Sequence, residues 1–189
     1  MPLALLLVLA VLTPASVDVH RRLVPAWEAL LAVTERDGGP HGAAYEELAR
    51  AAGVRIMLVA GHSRGQAGYY RGHRVVGVDP GLLAEDPRAV AAILAHELTH
   101  AEQHAAARRG EGPTDCYDAE AEAFERQSRV WLLSWPEGAV PERTAIEQEL
   151  TRVARAYEAG GRGGIRQLLE AAARYRERCA RWVPPSAGA

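Results

Sequence analysis

Between Pro87 and Trp182, glycine and proline divide the chain into long segments whose apolar residues recur at helical spacing. The segments run over residues 87–107, 115–134, 141–159 and 164–182. Gly110 with Gly112-Pro113, Pro136 with Gly138, and Gly160-Gly161 with Gly163-Gly164 stand where helices stop. In the third segment Ile146, Leu150, Val153 and Tyr157 form one apolar stripe, which leaves the opposite face to solvent. Helix therefore dominates the fold.

The first half of the chain is more mixed. Val19, Leu23, Trp27, Leu30 and Leu31 recur at helical spacing up to Gly38-Gly39, and a second helix is expected over 43–52, ending at Gly53. Residues 54–60 are rich in Val, Ile, Met and Leu between two glycines, and 74–78 is a second run of strand type. Asp79-Pro80-Gly81 then turns the chain. The pattern predicts a mostly helical α+β fold in which a small antiparallel sheet of two or three strands packs on the helix at 87–107, with further helices following.

A length of 189 residues with 48% hydrophobic and 24% charged residues fits one domain. The formal net charge of −2, with no basic block or acidic tail, provides no electrostatic footprint for nucleic acid. All 22 basic residues are Arg, which carries the same charge as Lys and so reads as compositional bias. Leu3 to Leu12 form an apolar run followed by Thr13-Pro14-Ala15, shorter than the roughly 20 residues that span a bilayer. We read 1–15 as a signal peptide or N-terminal anchor and 16–189 as the domain. Export to the cell envelope or beyond is expected, with membrane contact only if that segment stays uncleaved and a cytoplasmic location as the alternative. Cys116 and Cys179, the only cysteines, form either a disulfide suited to such a compartment or a pair of buried thiols.

The helix at 87–107 contains Ala95-His96-Glu97-Leu98-Thr99-His100, an HExxH pattern. Two histidines four apart share one helix face, so both imidazoles can reach one Zn²⁺ at about 2.0–2.1 Å. Glu97 projects beside the metal, where it can take a proton from an acidified water and pass it to a leaving amine. Chance alone would place HExxH in a chain of this composition roughly 2 times in 100, so the motif needs supporting context. Val90, Ile93, Leu94 and Leu98 supply it by setting the motif in an apolar-periodic helix that fixes its side chains.

A catalytic zinc takes three protein ligands and keeps one position open. Downstream, Asp118, Glu120, Glu122 and Glu125 crowd one helix, and the rotation of about 100° per residue separates them. Tyr117, Phe124, Gln127 and Trp131 lie within roughly 60° of Glu120 and form a largely aromatic face. Asp118, Glu122, Glu125, Arg126 and Arg129 lie opposite, in a charged stripe suited to water and ion pairs. A carboxylate among aromatic rings must be paired or bound to a metal, so Glu120 is the candidate third ligand, with Asp118 and Glu122 as alternatives.

With His96, His100 and Glu120 in place, the chain resembles the gluzincin zinc metallopeptidases, whose third ligand is a glutamate on the helix after HExxH. The resemblance covers about 70 residues, from Val54 to Trp131, and implies that His96, His100 and Glu120 hold one catalytic zinc while Glu97 is the general base. It also implies a peptide or protein substrate, bound along an edge strand that would fall at 74–78. Many gluzincins carry an Asp four residues after the ligand Glu to orient the first His. Phe124 stands there.

For the oxyanion-stabilising group, Tyr69, Tyr70, His62, His73 and Tyr157 are candidates. His104 would close the open coordination position and is read as exposed or as a contact to a ligand; His20 and His41 receive no role. The expectation is a zinc-dependent metallohydrolase, a peptidase using metal-activated water. Two other readings stand beside it: a non-catalytic, zinc-stabilised binding or scaffold protein, and a metal-free helical partner protein of the cell envelope.

Overall fold

The computed structural model describes residues 16–37 (side chains to 33), 45–60 and 66–184. The leader expected at 1–15, together with His41 and His62, lies outside these residues. The described chain is a mostly helical α+β fold. In order come α1 (Val24–Asp37), α2 (Tyr45–Ala51), β1 (Arg55–Leu58), β2 (Ala67–Tyr70), β3 (Val75–Val78), α3 (Pro87–Ala107), α4 (Cys116–Leu133), α5 (Ala145–Ala171) and α6 (Ala173–Ala180).

The helix starts follow local rules. Asp86 caps α3 by accepting from the Arg88 amide at 2.9 Å, with Pro87 in the first turn, where its missing N–H costs nothing. Asp115 caps α4 through the Asp118 amide, and Thr144 with Glu147 forms a full capping box on α5. Gly160 and Gly161 break α5 internally, Gly161 at φ 58, so the expected end at 159 is a kink rather than a termination. The segment expected as one helix over 164–182 is interrupted at Ala172, whose extended ψ of 121° sets α6 apart. Neither Gly nor Pro marks that break.

Val19 is not helical. His20 donates to the Ile56 carbonyl and Ile56 to that of Asp18, so the chain entering α1 runs as a short parallel bridge beside β1.

The sheet order is β1-β3-β2. β3 pairs with β2 antiparallel, as expected, but with β1 parallel, which makes the sheet mixed. The strand expected at the edge, 74–78, is thus the central one, and all four residues of β3 are buried. Gly77 is required there, because a Cβ would come within 2.6 Å of the Tyr70 ring and 2.8 Å of Val59. The outer strands are β1 and β2; the Val19 segment bridges to β1 at Ile56, and β2 is the outer strand on the other side, a segment to which the sequence pattern assigned no strand.

α3 runs through the centre, packed on α1, α2, α4 and, within the sheet, chiefly on β2. Ala89, Ala91, Ala92, Ala95 and Ala101 are buried along it, and such small side chains let neighbouring elements approach closely. Leu30, Ile56, Leu82, Leu94, Leu98 and Trp131 fill the main core. A second cluster, with Ala121, Phe124, Val153, Ile165, Leu169 and Tyr175, packs α4, the two halves of α5, and α6 together. The Cys116–Cys179 disulfide ties α6 to the start of α4, with Cα atoms 5.4 Å apart. No helix of the described residues is long and apolar enough to cross a membrane.

Candidate metal centre

α3 and α4 bring His96, His100 and Glu120 together. The Nε2 atoms of His96 and His100 are 3.1 Å apart. Glu120 Oε2 lies 3.8 Å from the first and Oε1 lies 3.6 Å from the second. A tetrahedral ion about 2.1 Å from each ligand separates its donors by about 3.4 Å, so these spacings fit one first coordination sphere.

The donor chemistry agrees. Glu120 Oε2 is buried with no hydrogen-bond partner among the described residues, which costs about 1–3 kcal/mol unless something positive meets it. Burial, then the nearby charges of His100 and Arg178, push the His96 pKa well below its usual value, keeping the ring in the neutral form that binds metals. The three residues can hold a metal ion. Asp118 and Glu122 stand outside the group: Asp118 is exposed and pairs with Arg166, and Glu122 pairs with Arg126 at 3.4 Å. Glu120 therefore points inward as expected, but the opposite charged stripe is solvated only in part: Asp118 is exposed, whereas the Arg126 side chain is 13% exposed and Glu122 packs against Gln103 of α3.

Each histidine is held differently. His96 packs edge-on against Phe124, ring centres 4.4 Å apart, so an aromatic ring stands where the resemblance would place an acid. The His100 Nδ1 lies 2.9 Å from Gln103 Oε1. The Gln103 amide in turn donates to the Ala119 carbonyl at 2.9 Å and to Glu122 Oε2 at 3.1 Å. Gln103 went unnoticed in the sequence, although its place three residues after His100 puts it on the same helix face.

Glu97 is buried beside the cluster. Burial, reinforced by the Glu120 charge and opposed by His100, Arg178 and the Tyr69 amide, raises its carboxyl pKa above the usual range. The Tyr69 amide is free to do this because of register. Asp79 donates to the Gln66 carbonyl, so in the antiparallel ladder Gly68 and Tyr70 also face β3 while Ala67 and Tyr69 turn their backbone groups outward.

α6 supplies the group that sequence reasoning did not anticipate. Arg178 forms an ion pair with Glu120 Oε1 at 3.0 Å from a side chain that is 56% exposed. Its position on a short charged helix carries no local signal; the disulfide, the Tyr175 packing and the Arg174–Glu149 pair hold the helix that brings it here. Tyr175, one turn earlier, is buried against Phe124, and burial followed by the Glu120 charge pushes its hydroxyl pKa up to about 12.

Two clefts reach the cluster. One, of about 290 Å³, contains His96, Glu97, Ala67, Ile93, Phe124 and Arg178. The other, of about 210 Å³, contains His100, Glu120, Tyr69, His104, Arg71 and Arg178. A larger cavity of about 510 Å³ around Trp135 and Arg88 includes none of the cluster. Of the oxyanion candidates, Tyr69 lines a cleft, whereas Tyr157 packs in the second core cluster and Tyr70 and His73 lie at the β2–β3 turn outside both clefts. His104 is partly buried 6.0 Å from the Tyr69 ring and is not a member of the metal-binding group.

No family model matches the chain, and neither a curated protein nor a solved structure does.

Proposed function

We propose that this protein is a zinc-dependent peptidase of gluzincin type. The observation that carries the reading is the convergence of His96, His100 and Glu120 from two helices, with the buried carboxyl of Glu97 lining the same cleft as His96. Two imidazoles and one carboxylate suit zinc, and a three-ligand set leaves a coordination position for reaction. Bound there, the ion supplies Lewis acidity that lowers the pKa of a coordinated water to about 7 and polarises a carbonyl.

The chain's own residues perform the remaining tasks. Glu97 accepts a proton on its carboxylate and releases it to the leaving amine, aided by a pKa that burial has moved toward neutrality. The outward backbone groups of Ala67 on β2 offer an extended peptide a strand to pair with, in place of the 74–78 edge first expected. The Cys116–Cys179 bridge supports an exported protein, since such bonds persist in oxidising compartments.

A non-catalytic, zinc-stabilised scaffold is the second reading, and the Arg178–Glu120 contact favours it, because α6 then covers part of the metal site. One experiment separates the two. Purified protein is expected to contain about one zinc per chain, lost in His96→Ala. Glu97→Gln is expected to keep the zinc while hydrolysis of a mixed peptide library falls by about 10²-fold or more. Full activity in Glu97→Gln rejects the assigned base; full zinc with no cleavage by the unsubstituted protein supports the scaffold.

A further inference from the structure

The cleft on the His100 side carries positive charge that the metal cluster does not use. Arg71, the first residue of the β2–β3 turn, and Arg178 both line it. Arg71 is exposed and has no ion pair among the described residues. Arg178 is ion-paired with Glu120 Oε1, and its exposed guanidinium offers N–H donors to the cleft. Among the described residues Glu120 is the one carboxylate lining this half, and it belongs to the metal-binding group. Arg74 and Arg108 stand close enough to act on Tyr69, so the surrounding field is positive as well. This contrasts with the chain as a whole, whose formal net charge is −2.

Arg178 lines both clefts, and the two differ in their second arginine, Arg71 on the His100 side and Arg174 on the Glu97 side. On the Glu97 side Ala67, Ile93 and Phe124 stand beside Gln66, Gln127, Arg174 and Arg178, so that cleft is mixed and holds the acidic Glu97 opposite its arginines. The His100 side is smaller, about 210 Å³, below the roughly 300 Å³ at which ligand pockets begin, so it has room for a short group and not for a long extension. Guanidinium groups recognise carboxylates by charge-assisted, often paired, hydrogen bonds, and the partly enclosed cleft strengthens them.

We propose that Arg71 and Arg178 form a carboxylate subsite beside the metal, which holds an anionic group of the substrate while its neighbouring carbonyl lies at the cluster. The carboxylate is either a peptide C-terminus or an acidic side chain. For the reaction this rests on the peptidase reading; for binding it does not.

The test measures binding without turnover. Zinc-loaded protein is titrated calorimetrically with two pairs of short peptide hydroxamates. One pair differs only in a C-terminal carboxylate or carboxamide, the other only in a Glu or Gln side chain with the terminus amidated. The unsubstituted protein is expected to favour the carboxylate member of one pair by about tenfold or more. The pair that discriminates identifies the source. Arg71→Gln, at an exposed turn position, is expected to reduce that preference severalfold while keeping the affinity for the amide member. Arg178→Lys, which retains the charge but loses the fork, is expected to weaken it partially with zinc content unchanged. Equal affinity within both pairs overturns the subsite, as does a preference that survives in Arg71→Gln and Arg178→Lys alike. Preference for the carboxylate without cleavage of any peptide leaves the subsite standing and rejects the peptidase.

Discussion

Gln103 holds His100 from behind: its Oε1 lies 2.9 Å from the His100 Nδ1, on the ring edge opposite the nitrogen that faces His96 and Glu120. Because the Gln103 amide is itself held by Ala119 and Glu122, one side chain ties the motif helix to the helix of the third ligand. Such outer contacts fix the tautomer and aim of a ligating imidazole. Gln103→Leu is therefore expected to weaken zinc binding by about 10–100-fold, measured by competition with a fluorescent chelator. Gln103→Glu, which keeps an acceptor for Nδ1–H, is expected to recover part of that loss. Unaltered affinity in Gln103→Leu would show that His100 is aimed by other contacts.

The disulfide positions Arg178. Cys116 and Cys179 are 63 residues apart, and closing a loop of that length stabilises a fold by about 4 kcal/mol in the chain-entropy treatment. Replacing both cysteines by serine is expected to lower the melting temperature by about 10 °C. A melting temperature that does not move, with thiols confirmed absent, would mean that the second core cluster alone holds α6 in place.

Glu147 links the α5 start to the α3 start. Its carboxylate accepts from the Arg143 amide at 2.7 Å and from the Arg143 guanidinium at 2.6 Å, while the same guanidinium reaches Asp86 at 3.4 Å. The Arg143 hydrogen bond, chiefly, holds the Glu147 pKa below its usual value. A carboxyl with a depressed folded pKa contributes stability above its unfolded value, near 4.5, and loses it as pH falls through the lower folded value. Glu147→Gln is expected to cost about 1–2 kcal/mol near neutral pH, and the difference from the unsubstituted protein should shrink in acid. Urea titrations at pH 7 and pH 3 measure it, and an unchanged difference at both would assign the cost to packing instead of charge.

Much of this molecule was legible before folding was considered. Rotation about a helix axis is a local property, so it placed His96 and His100 on one face and separated Glu120 from Asp118 and Glu122 without knowledge of any partner. Gly and Pro likewise act on their own backbone, and they marked the limits of α3 and α4 and the break in α5 at Gly160-Gly161. Short strands carry less signal. β2 has four residues, two of them Ala and Gly, and its role as the edge strand follows from which strand it pairs with.

What only tertiary structure decided are the contacts between segments distant in the chain. The parallel pairing of β1 with β3, Gln103 reaching Glu122, the Tyr69 amide reaching Glu97 and Arg178 reaching Glu120 all depend on how elements dock. Docking is set by the fit of buried side chains across elements, such as Phe124 between His96 and Tyr175, and a one-dimensional pattern does not encode that fit locally. The metal ligands were thus written into two helix faces, while the residues that hold them and shape the clefts were selected by packing.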